Sequence, residues 1–396
     1  MVMVSASSAM RSASSRSVTA KTVLDPGPDF LGDSPRIQRE AGGRFAVTAT
    51  IGIVMLTRRS VLLGGGALAG LAAAEFVGMT AHTPGTAAPP RQKPSTAVWF
   101  DVISDIQGDL ADLDRALDGL EAFGRADALL VNGDLTPNGR EHEYEELFDR
   151  LRLGEHPDAL YTIGNHEFYN GESSEVSVER FLRHSAMPGL FSAHEVGGVP
   201  VIRLGTTDGS EAGGHCVILG RTQLDWLRDT LEECPRQRPV LVMSHHALPG
   251  TVSGTFTDPL TQAPRIYSSD YAESDELLAL LAGFPNALLL SGHTHWSLYR
   301  EDWLTRRTAP GGHPDGFAAV NTGAVQTGFG PDGRGGEAPL DRQENQGLRI
   351  EVDGPTVRIH ALDFRRNAVI RTAEFRVDGR PGPVVVASPG WPGAVT

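Results

Sequence analysis

Cysteine is nearly absent: Cys216 and Cys234 are the two in 396 residues. They lack the clustered spacing of a thiolate zinc site, so any metal falls to Asp, Asn and His. Whether the two thiols pair in an oxidising compartment stays open at this level. Basic residues are also short. There are 35 Lys and Arg against 49 Asp and Glu, a net charge of -14, which argues against a nucleic-acid scaffold because phosphate backbones need a basic face. Long apolar runs are missing as well. A membrane span takes about 20 strongly apolar residues, and the run from Val61 to Ala74 is interrupted by Gly64, Gly65, Gly66 and Gly70 before it meets Glu75. No internal repeat is present. What remains, 40% hydrophobic and 21% charged residues, is the composition of a soluble globular protein with one main domain.

Residues 1–54 are rich in Ser, Ala, Gly and Arg without sustained periodicity, and read as disordered or as an extension outside the true product. From Met55, the segment Thr57-Arg58-Arg59-Ser60-Val61-Leu62-Leu63 and the Gly- and Ala-rich run to Ala74 resemble a twin-arginine export signal. A signal of this kind normally begins a protein, so translation is expected to start at Met55, with cleavage at Ala72-Ala73-Ala74 or near Thr86-Ala87-Ala88. The signal and linker fill 55–90, and Pro84, Pro89, Pro90 and Pro94 mark a flexible tether.

The main domain is expected over 95–380, followed by a flexible tail, 381–396. Compact apolar strands at 97–104, 128–132, 160–163, 199–204, 240–244, 287–291 and 317–321 alternate with helical patterns. The helical spacing runs through Leu110, Leu113, Ala116, Leu117, Leu120 and Phe123, through Leu224, Leu227 and Leu231, and over 275–282. Asp109 is placed to cap the first of these helices. After Gln343 the rhythm becomes all strand, at 348–352, 357–363 and 369–377, and these strands should extend or cover an existing sheet. Residues 328–344 read as a Gly-rich charged loop.

Five strand ends in this layout finish in cation-type donors: Asp105 and Gln107; Asp134; Asn165 and His166; His245 and His246; His293 and His295. Any one of them alone is an ordinary turn, cap or hydrogen-bonded histidine. Together they supply enough oxygen and imidazole donors for two cations a few ångströms apart, with Asp134 as the natural bridging carboxylate.

Ser104-Asp105-Ile106-Gln107, Asn132-Gly133-Asp134, Gly164-Asn165-His166-Glu167, Ser244-His245-His246 and Gly292-His293-Thr294-His295 follow the order and rough spacing of the calcineurin-like metallophosphoesterases. Over roughly residues 97–365 the chain resembles that family. The resemblance implies an α/β fold, a four-layer sandwich of two facing mixed β-sheets flanked by helices, with a dimetal site at strand ends on one edge. It implies Asp105, Gln107, Asp134 and His295 around one metal, and Asp134, Asn165, His245 and His293 around the other. His166 is then no ligand but the group that steadies the phosphoryl or protonates the leaving oxygen. Ala247 stands where the family often has proline two positions after the ligand histidine, so His245 is chosen over His246 with that alternative open. Gln107 stands where most members have histidine, and its harder oxygen tilts the pair of divalent ions toward manganese or magnesium over iron or zinc. Asp-Ile-Gln together with Gly-Asn-His-Glu-Phe-Tyr-Asn is locally similar to the manganese-dependent ADP-ribose and CDP-alcohol diphosphatase branch.

The expectation is an exported hydrolase, periplasmic or extracellular, that cleaves a phosphodiester or nucleotide diphosphate bond. Its two cations would neutralise phosphate oxygens and bring a water to pKa ~7 for attack. A secreted phosphomonoesterase that scavenges phosphate is the alternative, and a non-catalytic metal-stabilised binding protein stands behind both. The implied partners are a small phosphorylated substrate and the twin-arginine export machinery; oligomeric state is not legible. Residues 136–156 and 248–272 are expected to shape the pocket rim, with Tyr144, Phe168, Tyr169, Tyr267, Tyr271 and Trp296 near enough to stack on a base.

Overall fold

Val98–Ile103 is buried at every position, as a strand covered on both faces must be, and the rest of the domain is layered outward from it. The computed structural model describes residues 93–378 except 211–213, 257–266, 268, 335 and 341–342, together with short strands at 19–21 and 385–387. In chain order the strands are β1 (Thr19–Lys21), β2 (Val98–Ile103), β3 (Ala128–Asn132), β4 (Ala159–Thr162), β5 (Ser192–Val196), β6 (Val199–Arg203), β7 (Val240–Met243) and β8 (Ala287–Ser291). They continue with β9 (Leu304–Arg307), β10 (Phe317–Asn321), β11 (Phe329–Pro331), β12 (Glu337–Pro339), β13 (Gln346–Asp353), β14 (Thr356–Asp363), β15 (Ala368–Arg376) and β16 (Val385–Ala387). The helices are α1 (Leu110–Ala122), α2 (Glu141–Leu153), α3 (Ser174–Ser185), α4 (Gly220–Glu233) and α5 (Ser274–Leu281).

One seven-stranded sheet runs β16-β15-β14-β13-β2-β3-β4, the other β1-β5-β6-β7-β8-β10-β9, and β11 with β12 forms a separate hairpin. Both sheets are mixed. β2, β3 and β4 are parallel, while β13 pairs antiparallel with β2 and opens an antiparallel meander. In the second sheet β6, β7, β8 and β10 are parallel, with antiparallel neighbours β5 and β9. Parallel neighbours need crossovers, which the helices largely supply, so the carboxyl ends of these strands gather on one edge.

The pleat sends alternate side chains to opposite faces. Phe100, Val102 and Leu130 of the first sheet meet Leu241, Met243, Leu288 and Leu290 of the second in one buried cluster between the sheets. On the outer face of the first sheet, Leu129 and Val131 pack with Leu113 and Leu117 of α1, Tyr144 and Leu147 of α2, and Phe181 of α3. On the outer face of the second, Val242 and Leu289 pack with Leu224 and Leu227 of α4 and Leu277 of α5. The result is the expected sandwich of four layers. Each fully buried Leu, Ile, Val or Phe contributes about 1.5–3 kcal/mol relative to exposure. Asp109 caps α1 by accepting from the Asp112 amide at 3.0 Å.

The expected layout is corrected in four places, the first being strands β5 and β9, which no expected apolar run covers. Most of 136–156 is not a rim connection but α2, whose inward stripe is only Tyr144, Leu147 and Leu151. Helix α3 was not expected at all; its buried positions are Ser177, Phe181 and Ser185, too few apolar residues to announce a period. The stretch 328–344 is not all loop, because it contains the β11–β12 hairpin. The paired arginines and the segment 55–90 lie outside the described residues. Within the terminal stretches, β1 pairs antiparallel with β5, and β16 with β15. No disulfide joins buried Cys216 to half-buried Cys234. Among the described residues no helix is long and apolar enough to cross a membrane.

Candidate metal centre

Asn132, the last residue of β3, fastens the two sheets together where the strands end. Its amide donates to Leu290 O at 3.0 Å and Ser244 O at 3.3 Å, and its oxygen accepts from Thr162 Oγ1 at 3.1 Å. Just beyond this staple the chain turns sharply. Asp105, Gln107, Asp134, His293 and His295 have φ of 55°, 45°, 51°, 67° and 52°. Among the described non-glycine residues only Ala186 and Asn367 share that left-handed region. Such backbone costs a residue with a side chain roughly 1–2 kcal/mol and persists where the surroundings enforce it. Glycines allow the close approach. A Cβ on Gly164 would stand 2.2 Å from Asp134 Oδ1, and one on Gly292 would stand 1.9 Å from Ser104 Oγ.

Two clusters of donors result. In the first, Asp105, Asp134 and His295 are buried with donor atoms within 4.8 Å of one another. His295 Nε2 lies 3.1 Å from Asp105 Oδ1. Gln107 Nε2 donates to Asp134 Oδ2 at 3.1 Å and lies 3.2 Å from His295 Nε2. The amide nitrogen of Gln107 therefore faces inward, and its oxygen reaches the same point when the amide is turned over. In the second cluster His245, His246 and His293 converge. His245 Nε2 stands 3.2 Å from Asp134 Oδ1 and 3.9 Å from Asp105 Oδ1 without making a hydrogen bond.

Asn165 gives its amide nitrogen to Tyr169 Oη at 2.7 Å, which leaves Oδ1 buried and without a partner. His246 Nε2 is likewise buried and unpartnered, and its ring centroid lies 4.4 Å from that of His293. The fold thus brings His245 and His246 to one cluster, with His245 beside the Asp134 carboxylate. Buried polar atoms are nearly always satisfied, so these orphans, together with two sets of oxygen and imidazole donors, fit a pair of divalent cations. Neighbouring ligands with bonds of about 2.1 Å stand about 3 Å apart, close to the 3.1 Å and 3.2 Å seen between His295 and Asp105 and between His245 and Asp134.

Backbone carbonyls orient the imidazoles. His245 Nδ1 pairs with Asn132 O at 2.8 Å, His295 Nδ1 with Thr327 O at 3.0 Å, and His166 Nδ1 with Pro137 O at 2.8 Å. Each Nδ1–H donates, so Nε2 is the atom presented to the centre. Charge follows the geometry. Burial opposes ionisation of Asp134, yet the His245 imidazole beside it holds its carboxyl well below the usual range. Burial likewise works against a charged His245, but Asp134 and Asp105 outweigh it and push the ring up to about 10. His246 is kept neutral, well below its usual value, by burial and by the neighbouring His293 and His245.

His166 is half-buried beside this pair; its amide donates to Asp134 Oδ1 at 3.0 Å and its Nε2 lies 3.8 Å from Asp134 Oδ2. A cleft of about 370 Å³ opens above, lined by Gln107, Asp134, Asn165, His166, His293 and His295 with Tyr267, Gln326, Phe329 and Glu337. Glu337 on β12 accepts from Tyr267 Oη and Trp296 Nε1, each at 2.7 Å. Of the aromatic residues expected at the rim, Tyr267 lines the cleft, whereas Tyr144, Phe168, Tyr271 and Trp296 are buried in packing.

Sequence reasoning missed several contributors. Glu167 braces the main chain around the site, and Asn132 joins the sheets. Asp270 approaches His293, its Oδ2 lying 3.2 Å from Nε2. Glu167 and Asn132 sat inside motifs already noticed, so proximity was a usable signal for them; Asp270 had none.

Four layers with two donor clusters at the ends of parallel strands define a metal-dependent hydrolase architecture. The chain belongs to the calcineurin-like phosphoesterase family, whose model matches residues 98–297. Residues 298–380 match a domain of unknown function, DUF4073; here that stretch supplies β9 and β10 to one sheet and β13, β14 and β15 to the other. A probable cyclic nucleotide phosphodiesterase from Rhodococcus erythropolis is 27% identical over 202 residues, which is 48% of this chain and 61% of that relative, under two thirds of its length. Among solved structures, a purple acid phosphatase from yellow lupin seeds aligns with a TM-score of 0.49 at 13% identity, covering 76% of this chain and 59% of that one. GAP50, the anchor in the inner membrane complex of Plasmodium, aligns with a TM-score of 0.48 at 12% identity, covering 71% and 89%.

Proposed function

We propose that this protein hydrolyses a phosphodiester or nucleotide diphosphate bond at the paired clusters, after export. The observation that carries the reading is the convergence of two donor clusters, with His166 beside them, on the floor of one open cleft. Asp105, Gln107, Asp134 and His295 hold one cation, and Asp134, Asn165, His245 and His293 the other, with manganese favoured by the oxygen of Gln107. Cations bound there supply positive charge to the phosphate oxygens and a lowered pKa to the attacking water. His166 has its Nδ1–H occupied by Pro137 O, so Nε2 is the atom that passes a proton to the departing oxygen.

The name of the Rhodococcus relative supports diesters as a substrate class, and the Gln107 variant with Gly164-Asn165-His166-Glu167-Phe168-Tyr169-Asn170 supports diphosphates. Export rests on Arg58-Arg59 and the mildly apolar run that follows them.

The test is the initial rate of the purified protein with manganese on an aryl phosphodiester, the matching monoester, cyclic AMP, ADP-ribose and CDP-choline. Asp134→Asn serves as the blank. Diester or diphosphate cleavage should dominate. Cleavage of the monoester alone would identify a scavenging phosphatase, and two bound ions with no turnover a binding protein. In the same assay His166→Ala should keep its metal and lose about 100- to 10,000-fold in kcat, whereas Asp134→Asn should lose metal and rate together. Equal metal loss in both variants would refute the division of roles.

A further inference from the structure

We propose that Asp270 is an additional anionic ligand of the second cation position, beyond the donor set implied by motif order; the assignment rests on the dimetal reading above. Asp270 lies between β7 and α5, and the backbone fixes its place. Val217 N donates to Asp270 O at 2.8 Å, Ala272 N donates to Val217 O at 3.0 Å, and Val217 forms a parallel bridge with Tyr271. The buried Tyr271 sends its hydroxyl to His246 O at 2.7 Å and pairs with Ser244 Oγ at 2.6 Å. The residue next to Asp270 is thus tied to the strand end that carries His245 and His246.

From this anchored position Asp270 Oδ2 lies 3.2 Å from His293 Nε2. The oxygen is nevertheless buried without a hydrogen bond. Two electron-pair donors this close that share no hydrogen bond point to a common acceptor, and 3.2 Å is near the spacing of adjacent ligands on an octahedral cation with bonds of about 2.1 Å. Charge argues the same way. The first cation position faces the carboxylates of Asp105 and Asp134. The second would face only the shared Asp134, beside the neutral donors Asn165, His245 and His293. Asp270 gives the second position an anion of its own, and an added carboxylate favours a harder ion such as manganese or magnesium.

The experiment is manganese titration calorimetry on the full chain, with bound metal counted by elemental analysis, for wild type, Asp270→Asn and Asp270→Ala. Wild type should bind two ions. Each variant should keep one at unchanged affinity and bind the other about 10-fold or more weakly, with the melting temperature of the metal-free protein unchanged. Two ions at wild-type affinity in the variants would overturn the assignment, and so would simultaneous loss of both. Should Asp270→Ala fail to fold, the near-isosteric Asp270→Asn decides alone. Aryl diester hydrolysis is measured beside it. Wild type that binds two ions but cleaves nothing removes the proposed function and leaves Asp270 in place. Wild type that cleaves while Asp270→Asn binds normally removes Asp270 alone, and wild type that binds fewer than two ions removes the dimetal reading and Asp270 with it.

Discussion

Glu167 holds the site without facing the cleft. Its oxygens accept from the amides of Asp134 at 3.1 Å, Thr136 at 3.0 Å and Gly164 at 2.8 Å, and from Thr136 Oγ1 at 3.2 Å. Burial, joined by the Asp134 carboxylate, pushes its pKa up to about 7, against which these donors favour the anion. In Glu167→Gln an NH2 would face at least one backbone N–H whichever way the amide is turned. A buried donor left unsatisfied costs about 1–3 kcal/mol. Thermal unfolding should therefore show a lower Tm for this variant, with reduced turnover; an unchanged Tm would mean that the amides are held by other contacts. The arrival of Asn165 and His166 at the cleft was legible from donor type and order along the chain. Glu167 and Asn132 act on backbone groups, and Asp270 reaches His293 through the tertiary fold, so none of the three announces its role by spacing.

The strand ends are built for close approach, and Gly164 is a direct test of that at the scale of one element. In Gly164→Ala the new Cβ would stand 2.2 Å from Asp134 Oδ1 and 2.9 Å from His245 Cδ2. Asp134 and His245 are both fixed, so the end of β4 must move. Overpacking of this kind costs about 1–3 kcal/mol, and manganese affinity should fall with stability; metal binding equal to wild type would show that the strand end yields without disturbing its neighbours. Strands β2, β3, β7, β8 and β10 are buried at every position and were readable as short apolar runs. The meander β13–β15 was legible through its length and the turns that divide it. Helices α2 and α3 were not, because their inward stripes are thin and the remaining positions are largely charged or polar. The β11–β12 hairpin was hidden by the glycines around it.

At the scale of the whole molecule, acid stability should depend on His194, buried on β5 in the second sheet. Its Nε2 pairs with Ser192 Oγ at 2.8 Å, and that hydroxyl also accepts from Arg203 Nη1 at 2.7 Å. Burial, helped by the Arg203 charge, lowers the imidazole from 6.5 to about 4. The unfolded chain takes up this proton near pH 6.5 and the folded chain only near 4, so between those values acid favours unfolding. Across that window wild-type Tm should fall relative to that of His194→Gln, which lacks the titrating imidazole; identical pH slopes for the two would show that His194 contributes nothing to acid sensitivity. A different consequence follows from the left-handed turns at the strand ends. Where each donor points is written in the main chain, through those turns, the glycine contacts and the clamped amides. What each donor is made of is written in one side chain. Gln107 already puts an amide where the family often has an imidazole, at the end of an ordinary buried strand. Metal preference is therefore open to drift, or to engineering, one side chain at a time while the frame that aims the donors stays still.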